Sequence, residues 1–135
     1  MSRFGDDDFD LDFDLNEEPD AFDNYQGIAM DFAVYPGMMV YPALGLAGEA
    51  GEVAEKVKKL IRDDEVPLDE DFNTARMVHH EVRRDLALEL GDVLWYIAVM
   101  ADDIGYSLSE IAEMNLHKLS SRKRRGTIRG SGDYR

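Results

Sequence analysis

The stretch YPALGLAGEAGEVAEKVKKLIRDD, residues 41–64, read together with ELGDVLWYIA, residues 89–98, decides the fold. Both have the apolar spacing of helices, and each carries two acids three residues apart, Glu49 with Glu52 and Glu89 with Asp92. Residues three apart on a helix are neighbours on one face. Two such helices side by side can aim four carboxylates at one point, which is costly unless a cation lies between them. Hard divalent cations take oxygen ligands of this kind. A di-iron bundle would need Glu-x-x-His motifs, and no glutamate has a histidine three residues on. Mg²⁺, or Mn²⁺ in its place, is therefore favoured over iron or zinc.

Around these motifs the chain reads as all-α, a helical bundle of about four main helices. A first helix, capped by Asp20 or Asp23, runs to about Val34 before Pro36 and Gly37 break it. The second runs from about Ala43 to Arg62, with Leu46, Ala50, Val53, Val57, Leu60 and Ile61 on one arc. Gly45, Gly48 and Gly51 lie along it, each costing up to about 1 kcal/mol relative to alanine. The compensating gain is close approach of a helix or a ligand. Residues 63–72, with Pro67, form a loop.

The third helix spans about Thr74 to Ile104. Leu86, Leu90, Val93, Ile97, Met100 and Ile104 make its core face, with Leu88, Trp95 and Val99 opposite. A helix apolar on two faces belongs inside a bundle or at a subunit interface. Between those faces runs a polar stripe, Glu89, Asp92, Tyr96 and Asp103, which is not the pattern of a solvated surface. Gly105 ends this helix, and Ser107 with Glu110 makes a capping box for a fourth, ending near Arg122.

The 135 residues suit one domain, here 21–125, between two tails. Residues 1–20 carry nine acids and one base, alternating with Phe9, Leu11, Phe13 and Leu15, and are expected to be a disordered acidic tail. Residues 126–135 are a glycine-rich, basic and flexible tail. A formal net charge of −14 argues against nucleic acid as a partner. The chain has no cysteine, no apolar run long enough for a spanning helix and no secretory signal pattern, so no membrane association is expected and the cytoplasm is the simplest compartment. The exception to the acidity is Asn115, Lys118 and Arg122, on one face of the fourth helix, followed by Lys123, Arg124 and Arg125. Cations at a helix C-terminus complement its dipole, and the same groups are suited to polyphosphate capture.

These two stretches, followed by NLHKLSSRKRRG (residues 115–126), closely resemble the MazG-like nucleotide pyrophosphohydrolases of the all-α nucleoside triphosphate pyrophosphohydrolase superfamily. The resemblance extends from about Tyr25 to the C-terminus. It implies that Glu49, Glu52, Glu89 and Asp92 hold Mg²⁺, and that Asn115, Lys118 and Arg122 contact the nucleotide. Tyr96 resembles a position bordering the nucleotide in some relatives. It further implies cleavage of a nucleoside triphosphate between the α and β phosphates, and assembly as a homodimer or homotetramer. Glu52 is the first choice for the base that accepts a proton from water. Where some relatives begin the first motif with two adjacent glutamates, Ala47 and Gly48 precede Glu49, and Glu55 offers an additional acid. The alternative function is a non-catalytic nucleotide- or alarmone-binding module, or an interaction module whose acidic N-terminal tail does the binding. Phe32, Tyr35, Tyr41, Trp95 and Tyr96 are candidates for a base pocket and equally explicable as core; base and sugar preference are open.

Overall fold

The computed structural model describes residues 21–63, 78–127 and 129. The two tails, the loop after the second helix and the expected start of the third helix at Thr74 fall wholly or largely outside these residues. Four helices follow in order: α1, Ala21–Met30; α2, Val40–Arg62; α3, His80–Asp103; α4, Leu108–Arg124. The described residues contain no strand, and no helix among them is long and apolar enough to cross a membrane.

The register of α2 on α3 positions the candidate site. The polar stripe of α3 faces α2, and its partners run backwards along the chain. Glu89 pairs with Lys56, Asp92 converges with Glu49, Tyr96 lies on Gly45, and Asp103 accepts a hydrogen bond from the Met39 backbone N–H at 2.8 Å. The two helices are therefore antiparallel over their length. On its other side α3 packs against α1 and, near its C-terminal end, α4; α4 makes no helix contact with α2.

That other side holds the core. Ala29, Ala98, Ala101 and Leu108 form it, with Tyr25, Trp95, Ile97 and Ile111 packed around them. Small side chains let the helix backbones come close, and side chain–backbone hydrogen bonds fill the seam. Gln26, buried on α1, donates from Nε2 to the carbonyls of Ala98 and Tyr106, both at 3.1 Å. Its Oε1 accepts from the Leu108 N–H at 2.9 Å. One side chain thus ties α1 to α3 and to the start of α4.

The helix ends are closed as the local chemistry requires. Ser107 and Glu110 form the expected capping box. Gly105 and Gly126 have φ of +81° and +66°. After each, the next residue's N–H reaches back, Tyr106 to Ala101 O and Thr127 to Arg122 O, which is the Schellman closure of α3 and α4.

Four expectations are corrected. First, α1 stops at Met30, not near Val34. The Ala29 carbonyl takes the Trp95 indole N–H at 3.1 Å and the Phe32 N–H, so the ladder shifts to i→i−3 bonds and unwinds. Second, α2 begins at Val40, with Pro42 in its first turn, where a missing N–H costs nothing. Third, α3 begins at His80, and the described residues before it, Val78 and His79, are not helical. Fourth, the row expected as the core face of α3 is buried only in part: Ile97 packs against the core, but Leu90 is 55% exposed and Ile104 43%, while Ala98, Val99 and Ala101 are buried.

Candidate metal and nucleotide site

Glu49 on α2 and Glu89 and Asp92 on α3 bring one carboxylate oxygen each to within 4.8 Å of the others. Helical spacing puts Glu89 and Asp92 on one face, and the antiparallel register sets Glu49 opposite them. Partial burial and the neighbouring charges of Asp92, Glu89 and Glu52 hold the Glu49 carboxyl above its ordinary 4.5. Three converging carboxylate oxygens are a suitable donor set for a hard divalent cation.

Glu52, the fourth acid of the expected set, lies outside this trio and is exposed. It acts on Glu49 through its charge. Glu55 turns away to Lys58 and Lys59, ion pairs that hold its carboxyl below the usual range, so it does not join the trio. A cation beside the trio is one that motif reading passed over: Lys56 Nζ is 3.2 Å from Glu89 Oε1. Its position one turn after Glu52 was the available signal.

Aromatic rings border the trio. Tyr96 sits one turn after Asp92, and its hydroxyl shares a hydrogen bond with Tyr41. Burial raises the Tyr96 phenol first, followed by Tyr41, Glu49 and Asp92. Tyr35 stacks on Tyr41 with ring centroids 4.4 Å apart, and Trp95 meets Tyr96 edge-on at 4.9 Å. Four of the five candidate base-pocket rings are thus in one cluster; Phe32 is outside it and 67% exposed. From α1, Tyr25 also approaches: burial and the charge of Asp92 raise its phenol. Tyr25 was not among the expected site residues, because nothing in its neighbours on the chain points to Asp92.

The cationic helix is less uniform than its spacing suggests. Asn115 and Lys118 are exposed, whereas Arg122 is buried at 7%. Arg122 shares the inward side of α4 with Leu108 and Ile111, which pulls it into the chain.

Comparison with known proteins identifies the family. The family model for the MazG nucleotide pyrophosphohydrolase domain matches residues 42–127, which include the trio, Tyr96 and the cationic segment. The Gene 37 protein of Mycobacterium phage L5 is 45% identical over 121 residues, covering 84% of this chain and 97% of the phage protein. No solved structure matches the chain. With the family model spanning nearly all of α2 and the whole of α3 and α4, the chain belongs to the MazG nucleotide pyrophosphohydrolase domain family.

Proposed function

We propose that this protein is a Mg²⁺-dependent nucleoside triphosphate pyrophosphohydrolase that cleaves ribo- or deoxynucleoside triphosphates between the α and β phosphates, releasing the monophosphate and pyrophosphate. The observation that carries the reading is the convergence of Glu49, Glu89 and Asp92 within a matched family domain.

Glu49, Glu89 and Asp92 hold the cation, with Glu52 at their edge. When bound, Mg²⁺ neutralises the polyphosphate and lowers the pKa of water. Glu52, outside the converging trio, is left with a carboxylate able to accept a proton from the attacking water. Lys56, which pairs with Glu89, is placed to offset charge on the phosphates. Asn115, Lys118 and Arg122 bind the nucleotide's phosphates or sugar, and Tyr96 borders it. Because α4 does not pack on α2 within one chain, the cationic helix reaches the site most simply from a second copy in a homodimer or homotetramer. Exposed Leu44 and Val40 on α2, Leu88 and Leu90 on α3, and Leu119 on α4 supply apolar surface for that assembly. The role is control of nucleotide pools in the cytoplasm.

The deciding experiment follows pyrophosphate and phosphate release from a panel of nucleoside triphosphates, with Mg²⁺ and with EDTA. Metal-dependent pyrophosphate without free phosphate is expected. Free phosphate as the first product, or turnover undiminished by EDTA, would refute the reading. Deleting residues 1–20, which precede the matched domain, is expected to leave kcat within a few-fold, measured by the same assay.

A further inference from the structure

Of the three glycines along α2, Gly45 alone is held against another residue. A β-carbon built at Gly45 would fall 2.1, 2.3 and 2.7 Å from three carbons of the Tyr96 ring, whereas at Gly48 and Gly51 it would meet nothing within 4 Å. Side-chain carbons do not approach this closely, so any residue but glycine at 45 must displace the ring. The ring has little room to yield. Trp95 closes on it edge-on at 4.9 Å, and Tyr41 meets it at 6.4 Å and hydrogen-bonds its hydroxyl.

The position of this contact gives it a role. Gly45 lies one turn before Glu49, and Tyr96 one turn after Asp92, so in the antiparallel register the seated ring is the next layer beside the carboxylate trio. One turn is about 5.4 Å, a step that one small ligand can bridge. The rings beyond it are not core. Tyr41 is 45% exposed and Tyr35 lies stacked on it, while the buried cluster of Ala29, Ala98, Ala101 and Leu108 is elsewhere. Trp95 is the anchor between the two regions, with its indole N–H on the Ala29 carbonyl.

We infer that Gly45 is a positioning residue for substrate: its bare backbone seats Tyr96 so that the Tyr96, Tyr41 and Tyr35 rings form a wall beside the carboxylates on which a planar, aromatic base stacks. The inference rests on the nucleotide reading above and adds the element that sets where the base lies. Stacking on an aromatic ring is tolerant of base identity and depends on ring placement, so a displaced Tyr96 weakens binding of every base while leaving the metal-bound phosphates to react.

The test uses the full-length protein and the variants Gly45→Ala, Gly48→Ala, Tyr96→Leu and the Gly45→Ala/Tyr96→Leu double. Trp95 is the chain's one tryptophan, so its near-UV circular dichroism reports the Tyr96 ring without any assay of activity. Gly45→Ala is expected to change that signal and raise KM by about tenfold, with kcat within about threefold; Gly48→Ala should do neither. In the Tyr96→Leu background, Gly45→Ala should add less than about twofold to KM, because the ring it would strike is gone. An unchanged Trp95 signal in Gly45→Ala, or a KM effect that persists undiminished without the Tyr96 ring, would overturn the inference. If Gly45→Ala does not fold, the double variant must fold, and Tyr96→Leu must then show the KM increase itself. A changed Trp95 signal in a protein inactive on every nucleotide would uphold the Gly45–Tyr96 contact and defeat the nucleotide reading instead.

Discussion

The two sides of α3 differ in what they do with polar groups. Toward α1 and α4 it presents Ala98 and Ala101, and the polar atoms met there are matched: Gln26 satisfies two carbonyls and one N–H, Trp95 satisfies the Ala29 carbonyl, and Asp23 accepts from the Ser109 N–H at 3.1 Å. Toward α2 it presents Glu89 and Asp92 to another acid, with Lys56 paired to Glu89. The first side stabilises the chain, and the second gathers like charges that a bound cation would offset. A single helix can therefore separate scaffold from site by rotation alone, and mutations on its two sides should separate stability from activity.

The largest effect should come from the side toward α2. If the trio holds the cation as proposed, Asp92→Ala or Glu49→Ala removes a donor worth several kcal/mol of transition-state charge stabilisation, and turnover should fall by about three orders of magnitude. Stability should move the other way. In EDTA, each variant relieves like-charge repulsion, and its Tm should equal or exceed that of the parent in a thermal melt. Loss of both activity and folding would put these acids in the scaffold and erase the contrast.

Gln26→Ala probes the opposite side. It leaves the buried Leu108 N–H without its acceptor and two carbonyls without their shared donor. A buried group left unmatched costs about 1–3 kcal/mol, so a loss of about 3 kcal/mol is expected in urea unfolding. At a temperature where the variant stays folded, kcat should lie within about threefold of the parent. The carboxylates take no part in the Gln26 contacts.

What could be read from the sequence follows the range of the interactions involved. Spacings and caps act over three or four residues, so the two acid pairs, the Ser107–Glu110 box and the closing glycine at 105 were legible. The polar stripe on α3 was legible as abnormal, and it does face a partner. What acts across the chain was not. The end of α1 depends on Trp95, 66 residues away. The withdrawal of Glu52 from the converging trio depends on the angle between two helices. The buried residues of α3 are Val99 and two alanines, Ala98 and Ala101, and a search for large apolar residues passes over the alanines; the burial of Arg122 depends on how α4 packs. Of three glycines with the same apparent meaning, only Gly45 has close approach as its explanation, and that required knowing where Tyr96 lies.

That distinction among glycines predicts effects of opposite sign for one substitution on one helix. Gly45→Ala forces the Tyr96 ring out of a packed seam, and overpacking of this kind costs about 1–3 kcal/mol. Gly48→Ala and Gly51→Ala meet no neighbour within the chain and gain helix propensity, about 0.5–1 kcal/mol each. Denaturant unfolding of the three variants at equal protein concentration measures this. Destabilisation by Gly48→Ala would mean that a second copy of the chain lies against that stretch of α2, and would move it from open surface to interface.

The smallest effect concerns pH, and here the two kinds of charge on α2 should pull in opposite directions. Glu49 is held above its ordinary 4.5 by partial burial and then by Asp92, Glu89 and Glu52. The folded chain therefore binds a proton there more readily than the unfolded chain does, and between neutrality and that ordinary value the metal-free protein gains stability as pH falls. Glu55 and Asp63 are lowered by hydrogen bonds to Lys58 and Arg62 respectively. Their contributions are present above the unfolded values and are lost as pH falls below about 4–4.5 through the depressed ones. Mg²⁺ competes with the proton for Glu49, so the rise in Tm on adding Mg²⁺ should be greatest near neutral pH and should shrink toward about pH 5. Melts with Mg²⁺ and with EDTA at the two pH values give the increment directly. An increment that grows as pH falls would place the cation away from Glu49. In the Asp92→Ala chain the increment should be small at both pH values, because the trio that makes Glu49 unusual is no longer there.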